Sequence, residues 1–289
     1  MLYLLLSILG SAAIMIVFKL YDRFKINTAQ AIVVNYFIAA ALSFLFDDSG
    51  ITFQEAPNQP WFLNAILMGV LFITLFNIIG LSAQKIGVSV TTVANKMSLI
   101  IPVLFSVFYL GESSNWVKFT GIGLALVAVV LTSIQAERTD VDTRYAFYPL
   151  IVFAGSGFID AFFKYNQVYT LGDNGNKPFT GWIFLTSFVL GIGFLMQQYF
   201  RHKRIMTLKD ILGGIALGIP NYFSVFFLLK SLSQGMEGSV VIPVNNMAIV
   251  AVSAVAGIGL FGEKVSRINI LGIILCVASI AMIAFSDSF

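Results

Sequence analysis

Apolar residues run continuously along this chain and do not alternate with polar ones. Ten such runs, at 2–20, 28–46, 61–83, 88–110, 116–134, 147–169, 179–200, 209–232, 238–261 and 268–286, are separated by short segments that collect most charged and turn-forming residues. Each run is close to the about 20 residues that an α-helix needs to cross the hydrocarbon core. A porin-type barrel would show strands of alternating polarity instead. The pattern predicts an all-α integral membrane protein with ten transmembrane helices. The first run carries Gly10-Ser11-Ala12-Ala13, which resembles a signal-peptide cleavage site, but no basic residues precede it, so a retained helix is expected.

Composition narrows the class further. Of 289 residues, 58% are hydrophobic and 11% charged, and the mean hydropathy is +0.90. A soluble domain carries about 25% charged residues to cover its surface, so a soluble enzyme of this length is excluded. Disorder is excluded as well, because disordered chains are poor in aliphatic and aromatic residues. The single cysteine, Cys276, cannot form an intramolecular disulfide. The net charge of +3 says less than where the charges fall.

The chain also repeats itself. Gly10-Ser11, Ile14 and Phe18-Lys19 return as Gly155-Ser156, Ile159 and Phe163-Lys164. Leu81-Ser82, Gly87, Val90, Val93 and Asn95 return in constant register as Leu232-Ser233, Gly238, Val241, Val244 and Asn246. The same register carries Gly111-Glu112, Gly121-Ile122 and Leu124 onto Gly262-Glu263, Gly272-Ile273 and Leu275. Residues 1–136 and 145–289 therefore read as two five-helix repeats joined by the polar loop 137–144. Five is odd, so the second repeat is expected to enter the bilayer inverted. Inverted repeats place a binding site near the midplane, exposed alternately to each side, which points to transport.

Leu110-Gly111-Glu112 with Gly121-Ile122, and Phe261-Gly262-Glu263 with Gly272-Ile273, resemble the drug/metabolite transporter superfamily and, within it, EamA-type ten-helix transporters. The resemblance covers essentially the whole chain. It implies a cavity lined by the first four helices of each half and transport without ATP, but no particular substrate. Loops after the odd-numbered helices hold Arg23, Lys25, Lys85, Arg138, Arg144, Arg201, Lys203, Arg204, Lys209, Lys264 and Arg267. The other side holds Lys118 and Lys177, with Asp47, Asp48 and Glu55 after helix 2. The basic side should be cytoplasmic, which puts both termini outside; the resemblance implies both termini inside.

Charges within the spans need a reason, since one at the bilayer centre costs about 3 kcal/mol or more. Lys230 sits near a helix end and is expected to snorkel. Lys19 and Lys164 are expected near opposite mouths of a pathway. Asp160 lies one turn before Lys164, so the two either neutralise each other or Asp160 acts as a proton acceptor released when Lys164 engages substrate. Lys96 is the first candidate for the substrate-binding centre, beside Asn95 on a polar stripe with Thr92, Ser98 and Pro102. Asn245 and Asn246 occupy the equivalent depth in helix 9. Asn35, Tyr36, Asn77, Trp182, Asn221 and Tyr222 are further candidates, each with helix packing as the competing reading. Gly214 and Gly218 read as a close-packing motif, while Glu112 and Glu263 should stabilise their turns and the helices that follow.

Lys19, Lys96 and Lys164 against Asp160 leave a positive pathway, which favours a carboxylate or phosphate. The small multidrug pumps of the superfamily use a glutamate in helix 1; helix 1 here has no acidic residue, so cationic drug efflux is disfavoured. The expected function is a secondary transporter, an exporter of a small polar metabolite carrying a carboxylate, such as an amino acid. A channel, or a carrier of phosphorylated metabolites or drugs, stays open. No metal cluster or phosphate-cradling loop appears, and His202 sits in a basic loop, so no enzyme activity, metal or cofactor is expected. The expected partners are a small-molecule substrate and the lipid bilayer, with possible proton coupling and no nucleic acid. Monomer and homodimer stay open, and the expected location is the inner (plasma) membrane.

Overall fold

The structure is a computed structural model that describes residues 1–85, 88–113, 115–133, 147–172, 175–202, 205–261 and 266–285. Among these the chain is helical, with no strand: α1 (Leu2–Phe24), α2 (Thr28–Leu45), a 3-10 turn at Ala56–Asn58, α3 (Phe62–Lys85), α4 (Val88–Met97), α5 (Ile100–Phe108), α6 (Trp116–Ser133), α7 (Tyr148–Tyr169), α8 (Asn176–His202), α9 (Leu208–Leu232), α10 (Gly238–Phe261) and α11 (Arg267–Ala284). Among the described residues, seven segments are long and apolar enough to cross a membrane: Leu2–Tyr21, Thr28–Leu45, Phe62–Ile79, Thr91–Phe108, Asn176–Gln197, Leu208–Leu232 and Gly238–Gly257. Trp116–Leu131 and Ile270–Ala284 are shorter apolar helices, and α7, 22 residues long, carries Asp160 and Lys164. The connecting loop 137–144 and Arg138, Arg144, Lys203, Arg204, Glu263 and Lys264 lie outside the described residues.

One predicted helix is two. The run at 88–110 breaks at Ser98-Leu99 into α4 and α5. Pro102 is the cause: it has no N–H for the carbonyl of Ser98, and its ring would strike that carbonyl in a continuous helix. Ser98 O accepts instead from Ile101 N at 3.0 Å, and the Ser98 hydroxyl turns back to the carbonyl of Asn95. Pro220 and Pro243 stay inside α9 and α10.

The helices gather into two compact units, Met1–Ile73 with Tyr165–Ser233 and Thr74–Lys164 with Gln234–Phe289. Each unit draws on residues from both expected repeats, 1–136 and 145–289. In the first, α9 packs along α1 and α2, and α2 also packs along α8. Asp210 joins two helix starts there: one oxygen accepts from Asn27 N at 2.7 Å, and the other from Thr207 N at 2.9 Å and Thr207 Oγ1 at 2.6 Å. Tyr21 donates to the carbonyl of Gly213 at 2.7 Å. In the second unit α6 packs along α11, and α10 contacts α5, α6 and α11.

Gly214 and Gly218 act as their spacing predicts. A Cβ on Gly214 would stand 2.4 Å from Val34 Cβ and 2.6 Å from the carbonyl of Ala31. One on Gly218 would stand 2.9 Å from the carbonyl of Asn35. Gly214→Ala is therefore expected to lower unfolding stability by about 1–3 kcal/mol through overpacking. Gly193 in α8 has nothing within 4 Å of an added Cβ, so Gly193→Ala should be neutral or slightly stabilising through helix propensity. Thermal unfolding of the two variants in one detergent checks the contrast; equal melting temperatures would contradict the α2–α9 contact.

Candidate solute-binding site

Three of the sequence candidates meet in the second unit. Lys96 lies at the end of α4, eight residues beyond Val88, which is about 12 Å of helix. Asp160 lies twelve residues into α7, about 18 Å, and Asn246 eight residues into α10, about 12 Å. All three side chains are thus well inside their spans. Lys96 Nζ donates to Asn246 Oδ1 at 3.2 Å, and Asn246 Nδ2 donates to Asp160 Oδ2 at 3.5 Å. One amide therefore links an ammonium to a carboxylate. Opposite charges joined in this way offset part of the cost of holding either in the membrane.

The break after Met97 shapes this site. The Ser98 and Leu99 backbone does not continue α4, and α5 starts at Ile100. Gly157 of α7 fits against the break, where a Cβ would come within 2.8 Å of the Ser98 carbonyl and 2.5 Å of Ile101 Cδ1. A glycine one turn before Asp160 thus lets α7 approach the end of α4 closely.

Lys164 does not pair with Asp160, although their spacing allowed it. Its ammonium lies 2.9 Å from Glu112 Oε1 and donates to the carbonyl of Met236 at 3.3 Å. Glu112 draws it away because the same carboxylate accepts from Gly238 N and Ser239 N, each at 2.8 Å, at the N-terminus of α10. There the helix dipole favours a negative group. Gly238 makes room, since a Cβ would stand 2.9 Å from Lys164 Cδ. Glu112 therefore caps α10 and not the helix that follows it. Burial pushes the Glu112 carboxyl up, but the N–H of Ser239, the Lys164 ammonium and the N–H of Gly238 outweigh it and hold the group below its usual range. The positive sum expected for the pathway also changes, because in this unit Lys96 and Lys164 face Asp160 and Glu112.

Lys118, expected as a loop charge, is fully buried. It pairs with Glu237 at 2.5 Å and donates to the Ser113 carbonyl at 2.8 Å, Ser113 Oγ at 3.0 Å and Ser239 Oγ at 3.2 Å. Its partner is more than a hundred residues away, and no local pattern announces it. The remaining candidates in this unit are Asn95 and Asn77, both half-buried, and Asn245, which is buried.

The other candidates belong to the first unit. Asn221 Nδ2 donates to Asn35 Oδ1 at 3.0 Å, joining α9 to α2. Tyr36 is buried with its ring 6.2 Å from that of Phe184. Tyr222 is buried and stacks on Phe226 at 5.8 Å and Phe46 at 6.3 Å. Trp182 joins an aromatic cluster with Phe44, Phe53 and Phe62. Lys19 is half-buried in the last third of α1.

Comparison with known proteins fits this architecture. Residues 1–134 match the model of the EamA-like transporter family. An uncharacterized protein of Haemophilus influenzae is 28% identical over 295 residues, covering 98% of each chain. The glucose uptake protein GlcU of Staphylococcus xylosus is 27% identical over 201 residues, covering 66% of this chain and 65% of its own. A solved crystal structure shares the fold at a TM-score of 0.79 and 14% identity, covering 97% of this chain and 94% of its own. Residues 1–134 are similar to the EamA-like transporter family, and the described residues build the apolar helices of a multi-pass membrane protein.

Proposed function

We propose that the chain is a secondary transporter, an exporter of a small polar metabolite carrying a carboxylate, with zwitterionic amino acids as the best-fitting class. The observation that carries this reading is the Lys96–Asn246–Asp160 chain within the spans. A solute carboxylate can take the place of Asn246 at Lys96, and a solute ammonium can take its place at Asp160. The amide is then left to read the polar edge between them. A net-neutral pair suits a net-neutral solute with separated charges better than a phosphate or a lipophilic cation. Transport requires that the solute bind this cluster with different strength in the two facing states. Asp160 is also the group through which a proton could be coupled.

A sugar is the second reading, and the match to a glucose uptake protein favours it. A polyol would use the Asn246 amide, which already donates and accepts hydrogen bonds in the cluster. Counterflow into proteoliposomes, with alanine, glutamate, glucose and glucose 6-phosphate as labelled solutes, separates the readings. Saturable counterflow of alanine is expected. Saturable counterflow of glucose alone would move the assignment to sugars, and flux without saturation or counterflow would make the protein a channel.

A further inference from the structure

A pocket of about 350 Å³ opens in the first unit at the ends of α2 and α8. It is lined by Phe44, Phe53 and Trp182 on one side and by Asp47, Gly50 and Thr52 around the loop that follows α2. It shares no residue with the Lys96 cluster. The rings pack against one another, Phe44 on Phe53 at 4.8 Å and Phe53 on Trp182 at 4.9 Å, so they present a fixed aromatic wall.

The loop is built in advance. Asp47 Oδ1 accepts from Ser49 N at 2.9 Å, and Ser49 Oγ accepts from Ile51 N at 3.2 Å. Gly50 turns the chain in the left-handed region, at φ +74°, with nothing within 4 Å of an added Cβ. Glu55 Oε2 accepts from Thr52 N at 3.0 Å and from Thr52 Oγ1 at 2.9 Å. The neighbouring charges are engaged elsewhere. Asp48 pairs with Lys177 at 2.6 Å, Lys230 of α9 acts on the same Asp48, and Glu55 is held by Thr52. Asp47 is therefore the one charged residue among those lining the pocket.

Aromatic faces attract cations, most strongly where a ring is tryptophan, and a carboxylate beside them adds charge complementarity. An anion would meet Asp47, and the Thr52 hydroxyl already donates to Glu55. A sugar would find Asp47, Thr52, whose hydroxyl is given to Glu55, and the indole N–H of Trp182 as the polar side-chain groups of the lining. We propose that this pocket binds a small organic ammonium, either free in solution or as the headgroup of a phospholipid.

Isothermal titration of the purified full chain, in nanodiscs of phosphatidylglycerol, with tetramethylammonium chloride at constant ionic strength tests this. Saturable binding is expected, with Kd raised about two- to fivefold by Asp47→Asn. The binding should also change tryptophan fluorescence in the wild type and lose that change in Trp182→Phe. Nanodiscs containing phosphatidylethanolamine distinguish the sources. Weaker apparent binding there assigns a lipid headgroup, and unchanged binding assigns a free ammonium. Absence of saturable binding, binding unaffected by Asp47→Asn, or the same response to glucose and not to tetramethylammonium would overturn the proposal.

Discussion

Glu112→Ala is expected to destabilise the protein by about 3–5 kcal/mol, the cost of leaving a buried partner charge uncompensated. The side chains of Lys164 and Glu112 are only 8% and 10% exposed, and the substitution also strands the N–H groups of Gly238 and Ser239. The Asp48–Lys177 pair provides the contrast. Asp48 is 82% exposed, so Asp48→Ala should leave the melting temperature unchanged. The effect of Glu112 also depends on pH. Its carboxyl is held below its usual range in the folded protein, so its contribution is fully present above the ordinary value of about 4.3 and is lost as the pH falls through the depressed folded value. Wild-type stability should therefore fall on acidification through that window, and Glu112→Ala should lack that part of the slope. Urea unfolding in one detergent at pH 7 and at pH 3.5 measures both. A Glu112→Ala variant as stable as wild type at pH 7 would remove the ion pair from the account.

Lys96→Ala should lower saturable transport at least about 30-fold, as truncating one partner of a buried hydrogen-bonded charge pair costs about 2–5 kcal/mol of binding. That variant leaves Asp160 without the ammonium that Asn246 links to it, so a folding defect alone could mimic the loss. The double variant Lys96→Met with Asp160→Asn removes both charges and keeps similar volume. It should fold about as well as wild type, because replacing a buried pair with neutral groups is often neutral or stabilising. It should still fail to transport. If the pair served only to neutralise charge within the membrane, the double variant would recover flux, and the site would have to be moved.

The spans were legible because lipid forces long apolar runs, and the depth of Lys96 relative to Asn246 was legible because Asn95 and Asn246 hold the same place in the two repeats. What the sequence left open was which charges choose one another. Helical spacing brings Asp160 and Lys164 onto one face but does not choose their partners. Lys164 goes to Glu112, whose carboxylate is placed by the start of α10, and Asp160 goes to Asn246. Lys118 and Glu237 likewise meet only when the segment before α10 closes over the start of α6. The α4–α5 break was within reach, since Pro102 stands four residues after Ser98, but apolar continuity across 88–110 reads as one helix.

The most direct test of the central claim is alanine counterflow in proteoliposomes holding equal amounts of wild type or the Lys96→Met, Asp160→Asn double variant. Saturable counterflow is expected for wild type and none for the double variant, with both proteins showing the same melting temperature. Equal counterflow in the two would show that the solute does not use the Lys96–Asn246–Asp160 cluster.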